Sequence, residues 1–539
     1  MRWASRQNGE GSSSGVASQA MRTAYIGVLL ALIVGGVGGA FSNGLFFLTQ
    51  PYQINYAEGL AAWQAAHVTD AARAYAPIDQ YPFVVFQYPP LFHLVTRAAG
   101  YAMGTTTTDL LMAGRLVSVV SAAILCVIIG WITFQALPRR TERKMRLLAA
   151  AFAGALPTTL YNFNWTWLAR VDTLAILLSF SGVALFAIRP RSAAMQVLAS
   201  VLMAAGLFTR QTALAAPLAC VLVAWLIDRR IALRMLLTLG INVSLVLGWL
   251  VWRTHGQVFL HLFRYNQTAF SITRAILGFL MNGRWVTASL VLAAGASGAV
   301  LWGACGLARR RRWELLRANL RANHYRRTVL LLSVYSLFAA LSTFTFGKEG
   351  SDINYFLEWN VSLAPLAGIC FFRLGPASEI VSRLQPIRLA ALAVPILILS
   401  ASLPQAGMGW LRVFGRPQPV DREQIAAYRE ALATIEGTPG PVFSEDMNLL
   451  YKAGKNIPAE PAMIQCLAKA GMWDERPFVR MIQERRFGLV ITMVNRETED
   501  LLSRQRFSPA VARAIEQAYE QTAMIADYRI FRPRRTTIP

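Results

Sequence analysis

The sequence predicts a mainly α fold, a polytopic transmembrane helical domain of about eleven spans followed by a small extracytoplasmic α/β domain. Three observations predict it. Of 539 residues, 55% are hydrophobic and 15% charged, with a mean hydropathy of +0.39, too apolar for a soluble chain of this length. The apolar residues fall in runs of roughly twenty, the length that crosses a bilayer. After residue 404 those runs give way to a mixed, soluble pattern.

Taken in order, residues 1–23 hold Arg2, Arg6 and a Gly/Ser stretch and are expected to form a disordered cytoplasmic tail. The transmembrane domain is expected over 24–404. Its apolar segments lie near 24–48, 111–137, 147–163, 171–188, 193–208, 211–227, 233–252, 285–308, 328–346, 355–373 and 388–404. Those between 147 and 227 are short and closely spaced, so two of them suit re-entrant or strongly tilted helices. The first extracytoplasmic loop spans 49–110. In the final domain, 405–539, Pro441–Asp446 reads as a strand and turn, Arg480–Arg486 as the end of an amphipathic helix, and Phe487–Thr492 as a buried strand.

Fifty-three Lys and Arg against 29 Asp and Glu give a net charge of +24. The cations sit between apolar segments, which explains them by orientation in a bilayer and argues against a nucleic-acid partner. Arg139, Arg140, Arg143, Lys144 and Arg146 form one cluster, Arg309–Arg312 with Arg317, Arg321, Arg326 and Arg327 another. Arg189 with Arg191, and Arg229 with Arg230 and Arg234, fall on the same side if every segment crosses. That side is expected to be cytoplasmic, leaving the 49–110 loop and the C-terminal domain outside. The five cysteines are scattered, four within apolar runs, and form neither a disulfide framework nor a metal-binding pair.

Ionisable residues at the membrane ends mark functional candidates, because desolvating them is costly. Four groups meet that test on the outer side. Glu58, after Asn55 and Tyr56, either accepts a proton from a hydroxyl within hydrogen-bond reach or caps an interfacial helix starting near Ala57. Tyr88-Pro89-Pro90 stiffens the end of the same loop. Arg170 and Asp172 either pair with each other or bind separate groups, Arg being suited to phosphate. Arg210 with Gln211 either snorkels to the interface or holds a lipid phosphate. The segment from Lys348 to Glu358 is the densest polar run beside any apolar segment, with Asp352, Asn354 and Tyr355 offering donors and acceptors. Lys348 is suited to stabilising a phosphate leaving group. Glu358 needs a cationic partner, for which Lys348, Arg170 and Arg210 all qualify.

The long first loop with its carboxylate, Tyr88-Pro89-Pro90-Leu91, Arg170-Val171-Asp172, Arg210-Gln211-Thr212 and the Lys348–Glu358 segment together resemble the bacterial GT-C glycosyltransferases over about residues 25–375. The chain is most similar to the branch that includes protein O-mannosyltransferases and lipid A aminoarabinose transferases. The resemblance implies a GT-C-like fold in the bacterial cytoplasmic membrane, with the site on the extracytoplasmic face. It implies transfer of a hexosyl or pentosyl group from a polyprenyl-phosphate carrier to a glycan, lipid or protein acceptor by inverting displacement. Glu58 would be the base, with Asp70 and Asp79 as alternates, since the family's paired Asp-Glu is replaced by Asn55 and a single Glu58. Arg210, Lys348 and Arg170 would hold the donor phosphate, while Asn55, Tyr56, Tyr88, Asp172, Gln211, Asp352, Asn354, Tyr355 and Glu358 would contact donor or acceptor. No cofactor is implied beyond the lipid-linked donor, and no metal, because the two-carboxylate pattern of the metal-dependent oligosaccharyltransferases is missing from the first loop. A lipid or sugar-lipid transporter is the main alternative, but the sequence lacks the two-half repeat such proteins carry.

Overall fold

The computed structural model describes residues 10–105, 109–139, 142–309, 312–374, 385–414, 419–494, 502 and 506–535. Helices run through most of every expected apolar segment except 147–163. There a helix, Arg143–Ala155, breaks into 3-10 turns at Leu156–Thr159 and Tyr161–Trp167, the first carrying Pro157 near its start. By length and apolarity, six helices among the described residues can cross a membrane, or eight if each of two bent pairs is one span. Ala193–Thr209 and Ala215–Ile227 are apolar but shorter. The eleven expected spans are therefore not all reached by helix length.

Burial sorts the long helices by position. Ile353–Phe372 is almost wholly enclosed, whereas Arg229–Arg253 is mostly exposed and shows Leu233, Leu237, Ile241, Leu245 and Trp249 on its surface. An exposed apolar face of that extent suits lipid. Asp172–Ile188 and Ala193–Thr209 pack closely because Gly182 and Gly206 leave room at the crossing, where a Cβ on Gly206 would overlap the Ser179 side chain.

Two expected boundaries shift. The first helix begins at Glu10, so 10–23 is helical rather than an unstructured tail; residues 1–9 lie outside the described part. Leu403–Phe414 packs along the first helix, with Trp410 Nε1 donating to the Gly35 carbonyl at 3.1 Å and Arg412 to Asn43 Oδ1 at 2.5 Å. Small residues Ala406 and Gly409 permit that approach, and 393–412 forms one apolar stretch. The sheet-bearing domain thus starts beyond residue 414 rather than at 405.

Among its described residues that domain has a four-stranded sheet, β1 (Val442–Ser444), β2 (Leu489–Met493), β3 (Tyr519–Ile525) and β4 (Tyr528–Pro533), in the order β1-β2-β4-β3. The two strands expected from sequence are β1 and β2, parallel with Val442 opposite Leu489. The expected amphipathic helix is Arg476–Gln483, which ends at Gln483 rather than running to Arg486. The β3–β4 hairpin, irregular between Gln521 and Ala523, is an addition. The sheet domain docks on the 49–110 loop: Phe83 N donates to the Pro458 carbonyl at 2.8 Å, Trp473 Nε1 to the Ile78 carbonyl at 2.8 Å, and Asn448 Nδ2 to the Pro51 carbonyl at 2.9 Å. Loop and domain therefore share one end of the bundle. The arginine-rich connections meet at the other, where Arg191 donates to the Arg321 carbonyl and His324 lies against the Gln135 carbonyl. Arg140, Arg310 and Arg311 lie outside the described residues.

Candidate active site

Glu58 opens the helix Glu58–His67 and is fully buried. Ala57 precedes it in the left-handed region at φ 72°, which turns the carboxylate back toward the bundle. Arg115, from Leu110–Ala136, meets it through two parallel hydrogen bonds of 2.9 Å. The backbone N–H groups of Ala169, Ile54 and Asn55 donate to the same two oxygens at 2.8, 2.7 and 3.2 Å. Burial alone would raise its pKa, but the charge and hydrogen bonds of Arg115 with those amides hold it below the usual carboxylate range. Arg115 is itself closed by the carbonyls of Phe47, Gln50 and Tyr52. With its oxygens so engaged, Glu58 has no reach to a substrate hydroxyl in this arrangement. Of the two readings open in the sequence, a structural carboxylate fits better than a base.

A second buried carboxylate organises the cations. Asp172 Oδ1 meets Arg210 at 2.8 Å and accepts from Asn354 Nδ2 at 2.9 Å, while Oδ2 accepts from Trp165 Nε1 at 3.0 Å. Asp172 thus pairs with Arg210 rather than closing on Arg170. Arg210 also lies over the Tyr355 ring, 4.8 Å from its centre. Arg170 instead donates to the Tyr56 carbonyl at 3.3 Å and lies over Trp165.

Arg210 and Lys348 line a cavity of about 560 Å³ whose polar wall also includes Tyr88, Gln211, Tyr355 and Glu358. Six of the expected site residues thus come together. Lys348 Nζ donates to the Asn266 carbonyl at 2.9 Å. Burial, and then the nearby charge of Arg210, lower its pKa. Glu358 Oε1 accepts from Tyr335 OH at 3.1 Å. The opposite wall is apolar, and Leu214, Leu218 and Leu341 there are each about half exposed, so the cavity opens onto the outer flank of the bundle.

The remaining expected residues lie elsewhere. Asn354 acts on the cavity only through Asp172. Arg170 lines a smaller pocket that shares Tyr88 with the large one. Tyr56 OH accepts from Ala462 N at 3.2 Å, under Arg506 of the C-terminal domain. Asn55 meets Glu58 through its backbone, its N–H donating to the carboxylate and its carbonyl accepting from Glu58 N, and Asp352 caps the 3-10 turn Ile353–Phe356. Asp70 caps Ala71–Ala74 and Asp79 is exposed; neither reaches the cavity.

Sequence reasoning missed Arg115, Trp165, Tyr335 and the segment Gln257–Gln267. Arg115 carried a usable signal, one arginine inside an otherwise apolar run. In the missed segment, Asn266 Nδ2 donates to the Gln87, His261 and Leu262 carbonyls, and Gln211 Nε2 donates to Gln87 and Leu262 as well. His261 Nδ1 accepts from Phe86 N at 2.9 Å while Nε2 meets the Ala76 carbonyl at 2.9 Å, which fixes a neutral ring with its proton on Nε2. The segment thereby ties the first loop to the cavity wall.

The helical bundle, its long first loop and the small domain closing the same end form a fold shared with solved structures. ArnT from Cupriavidus metallidurans, in a crystal structure bound to undecaprenyl phosphate, superposes with a TM-score of 0.58 at 14% identity, over 93% of this chain and 97% of that one. The oligosaccharyltransferase of Archaeoglobus fulgidus in complex with Zn and sulfate gives 0.52 at 12% identity, over 92% of this chain and 71% of its own. AglB from the same organism, in complex with an inhibitory peptide and a dolichol-phosphate, gives 0.51 at 11% identity, over 96% and 75%. At such identities the likeness establishes a shared fold. No protein-family model and no curated protein matches the sequence.

Proposed function

We propose that this protein is a membrane glycosyltransferase that moves a sugar from a polyprenyl-phosphate carrier to an acceptor hydroxyl outside the cytoplasm. One observation carries the reading: Arg210 and Lys348 face a cavity whose other side opens through half-exposed leucines onto the outer flank of the bundle. A phosphate beside two cations and a lipid tail leaving through an apolar mouth is the division a polyprenyl-phosphate sugar requires. The fold shared with ArnT, crystallised with undecaprenyl phosphate, supports the same donor class.

In this reading the reaction is a single displacement. Glu358, the carboxylate on the cavity wall, takes the proton of the acceptor hydroxyl, whose oxygen forms a bond to the anomeric carbon. The bond from that carbon to the phosphate oxygen breaks, and its electron pair leaves on the phosphate, stabilised by Arg210 and Lys348. Asp172 and Asn354 hold Arg210 in place, and Glu58 with Arg115 holds the first loop. The test is sugar transfer from a polyprenyl-phosphate sugar by the purified protein. Glu358→Gln should lower kcat by about 10²–10⁴-fold; full activity in that variant would remove Glu358 as base. Lipid movement without any donor-dependent sugar transfer would favour the transporter alternative, which shares the lipid-facing mouth.

A further inference from the structure

At the opposite end of the bundle a second cavity, of about 240 Å³, is lined by Arg191, Gln196, Asp228, Arg230, Arg234 and Arg321. Four guanidinium groups face one carboxylate, and Asp228 is only partly committed to them, 3.6 Å from Arg321 and accepting the backbone N–H of Arg230 at 2.9 Å. Other contacts hold the arginines through neutral groups. Gln196, 1% exposed, donates to the Pro190 carbonyl at 2.6 Å and accepts from Arg234 at 2.7 Å. Arg321 Nε donates to the Ile227 carbonyl at 3.0 Å. Neutral acceptors orient a guanidinium without cancelling its charge, so the cavity keeps a positive field that an anion relieves. Its size suits a phosphate group, and the planar forks of four arginines suit its oxygens. Immediately beside it, Leu233, Leu236 and Leu237 are each more than half exposed on Arg229–Arg253, an apolar surface on which acyl chains can lie.

We infer that this cavity binds a phosphate-bearing anion, presented as a phospholipid head group or as free phosphate, and that the site is separate from the one proposed for the donor.

The experiment is thermal unfolding of the full-length protein in neutral detergent, titrated with phosphatidylglycerol, phosphatidylcholine or inorganic phosphate. Protection by phosphatidylglycerol well above phosphatidylcholine identifies the head-group source, and protection by inorganic phosphate alone identifies the free ion; either supports the inference. Arg191→Gln combined with Arg230→Gln should weaken half-saturation roughly thirtyfold, the loss expected from two cations at a membrane surface. Lys348→Ala, at the other cavity, should leave that titration unchanged. Should the double variant fail to fold, phenylglyoxal labelling of the unaltered protein read by mass spectrometry replaces it, with the anion shielding Arg191 and Arg230. No protection by any of the three ligands, protection undiminished in the double variant, or labelling unaffected by the anion would overturn the proposal.

Discussion

At the scale of single residues, the first loop depends on Glu58 and Arg115, both fully buried. Removing one partner of such a pair strands the other charge, so Arg115→Ala should cost about 3–5 kcal/mol, read as a large fall in unfolding temperature or loss of monodisperse protein in detergent. Replacing both together, Glu58→Leu with Arg115→Met, should recover much of that loss. If Arg115→Ala is as stable as the parent, the pair is not what holds the loop. Lys348 has a different part: it faces the proposed donor phosphate, and Lys348→Ala should raise KM for the lipid-linked donor by about 10–100-fold, the value of a charge-assisted hydrogen bond, while Lys348→Arg keeps most of it. An unaltered KM in Lys348→Ala would detach this lysine from the donor. Sequence could mark Glu58, Arg210 and Lys348 as unusual because a charge beside an apolar run is costly wherever it points. It could not say which polar groups close on each other, since Glu58 and Arg115 are 57 positions apart and Asp172 and its hydrogen-bond partner Asn354 182.

At the scale of elements, the apolar runs and the strands β1 and β2 were legible because each carries its own periodicity. The Gln257–Gln267 segment was not, because its polar groups are spent on carbonyls of the first loop and it has no pattern of its own. His261 at its centre has its pKa lowered to about 4, because burial disfavours the charged ring, against an ordinary 6.5. A folded pKa below the unfolded one means stability that is present above pH 6.5 and is lost as pH falls through 4, amounting to about 3 kcal/mol. His261→Gln should flatten the unfolding temperature across that window; an equally steep acid limb in the variant would assign the slope to other groups. Gly59 marks the contact between Glu58–His67 and the sheet domain. A Cβ there would overlap the backbone of Asn448, so Gly59→Ala should loosen the domain, measured as faster proteolysis between residues 414 and 442. Cleavage at the parent rate would mean the interface absorbs a methyl group.

At the scale of the whole molecule, the sequence foretold which connections share an end, and the fold agrees: the arginine-bearing turns converge opposite the 49–110 loop and the sheet domain. That was readable because the charge bias of loops is a property of the chain, independent of packing. The number of spans was not, because crossing depends on tilt and bending: Tyr161–Trp167 and Asp172–Ile188 meet at 101°, and no count of apolar residues contains that angle. The convergence fixes which groups travel together but leaves the direction of the bundle to charge. With Arg143, Arg191, Arg229, Arg321 and Arg327 gathered at one end, we propose from the positive-inside bias that this end faces the cytoplasm. A cysteine introduced at Asp79, exposed in the first loop, should then react with a membrane-impermeant maleimide on intact cells. One at Glu314, whose side chain is 84% exposed at the arginine-rich end, should react only after permeabilisation. The reverse pattern would turn the bundle over and put the cavity of Arg210 and Lys348 on the cytoplasmic side, where a donor flipped to the outer leaflet could not reach it.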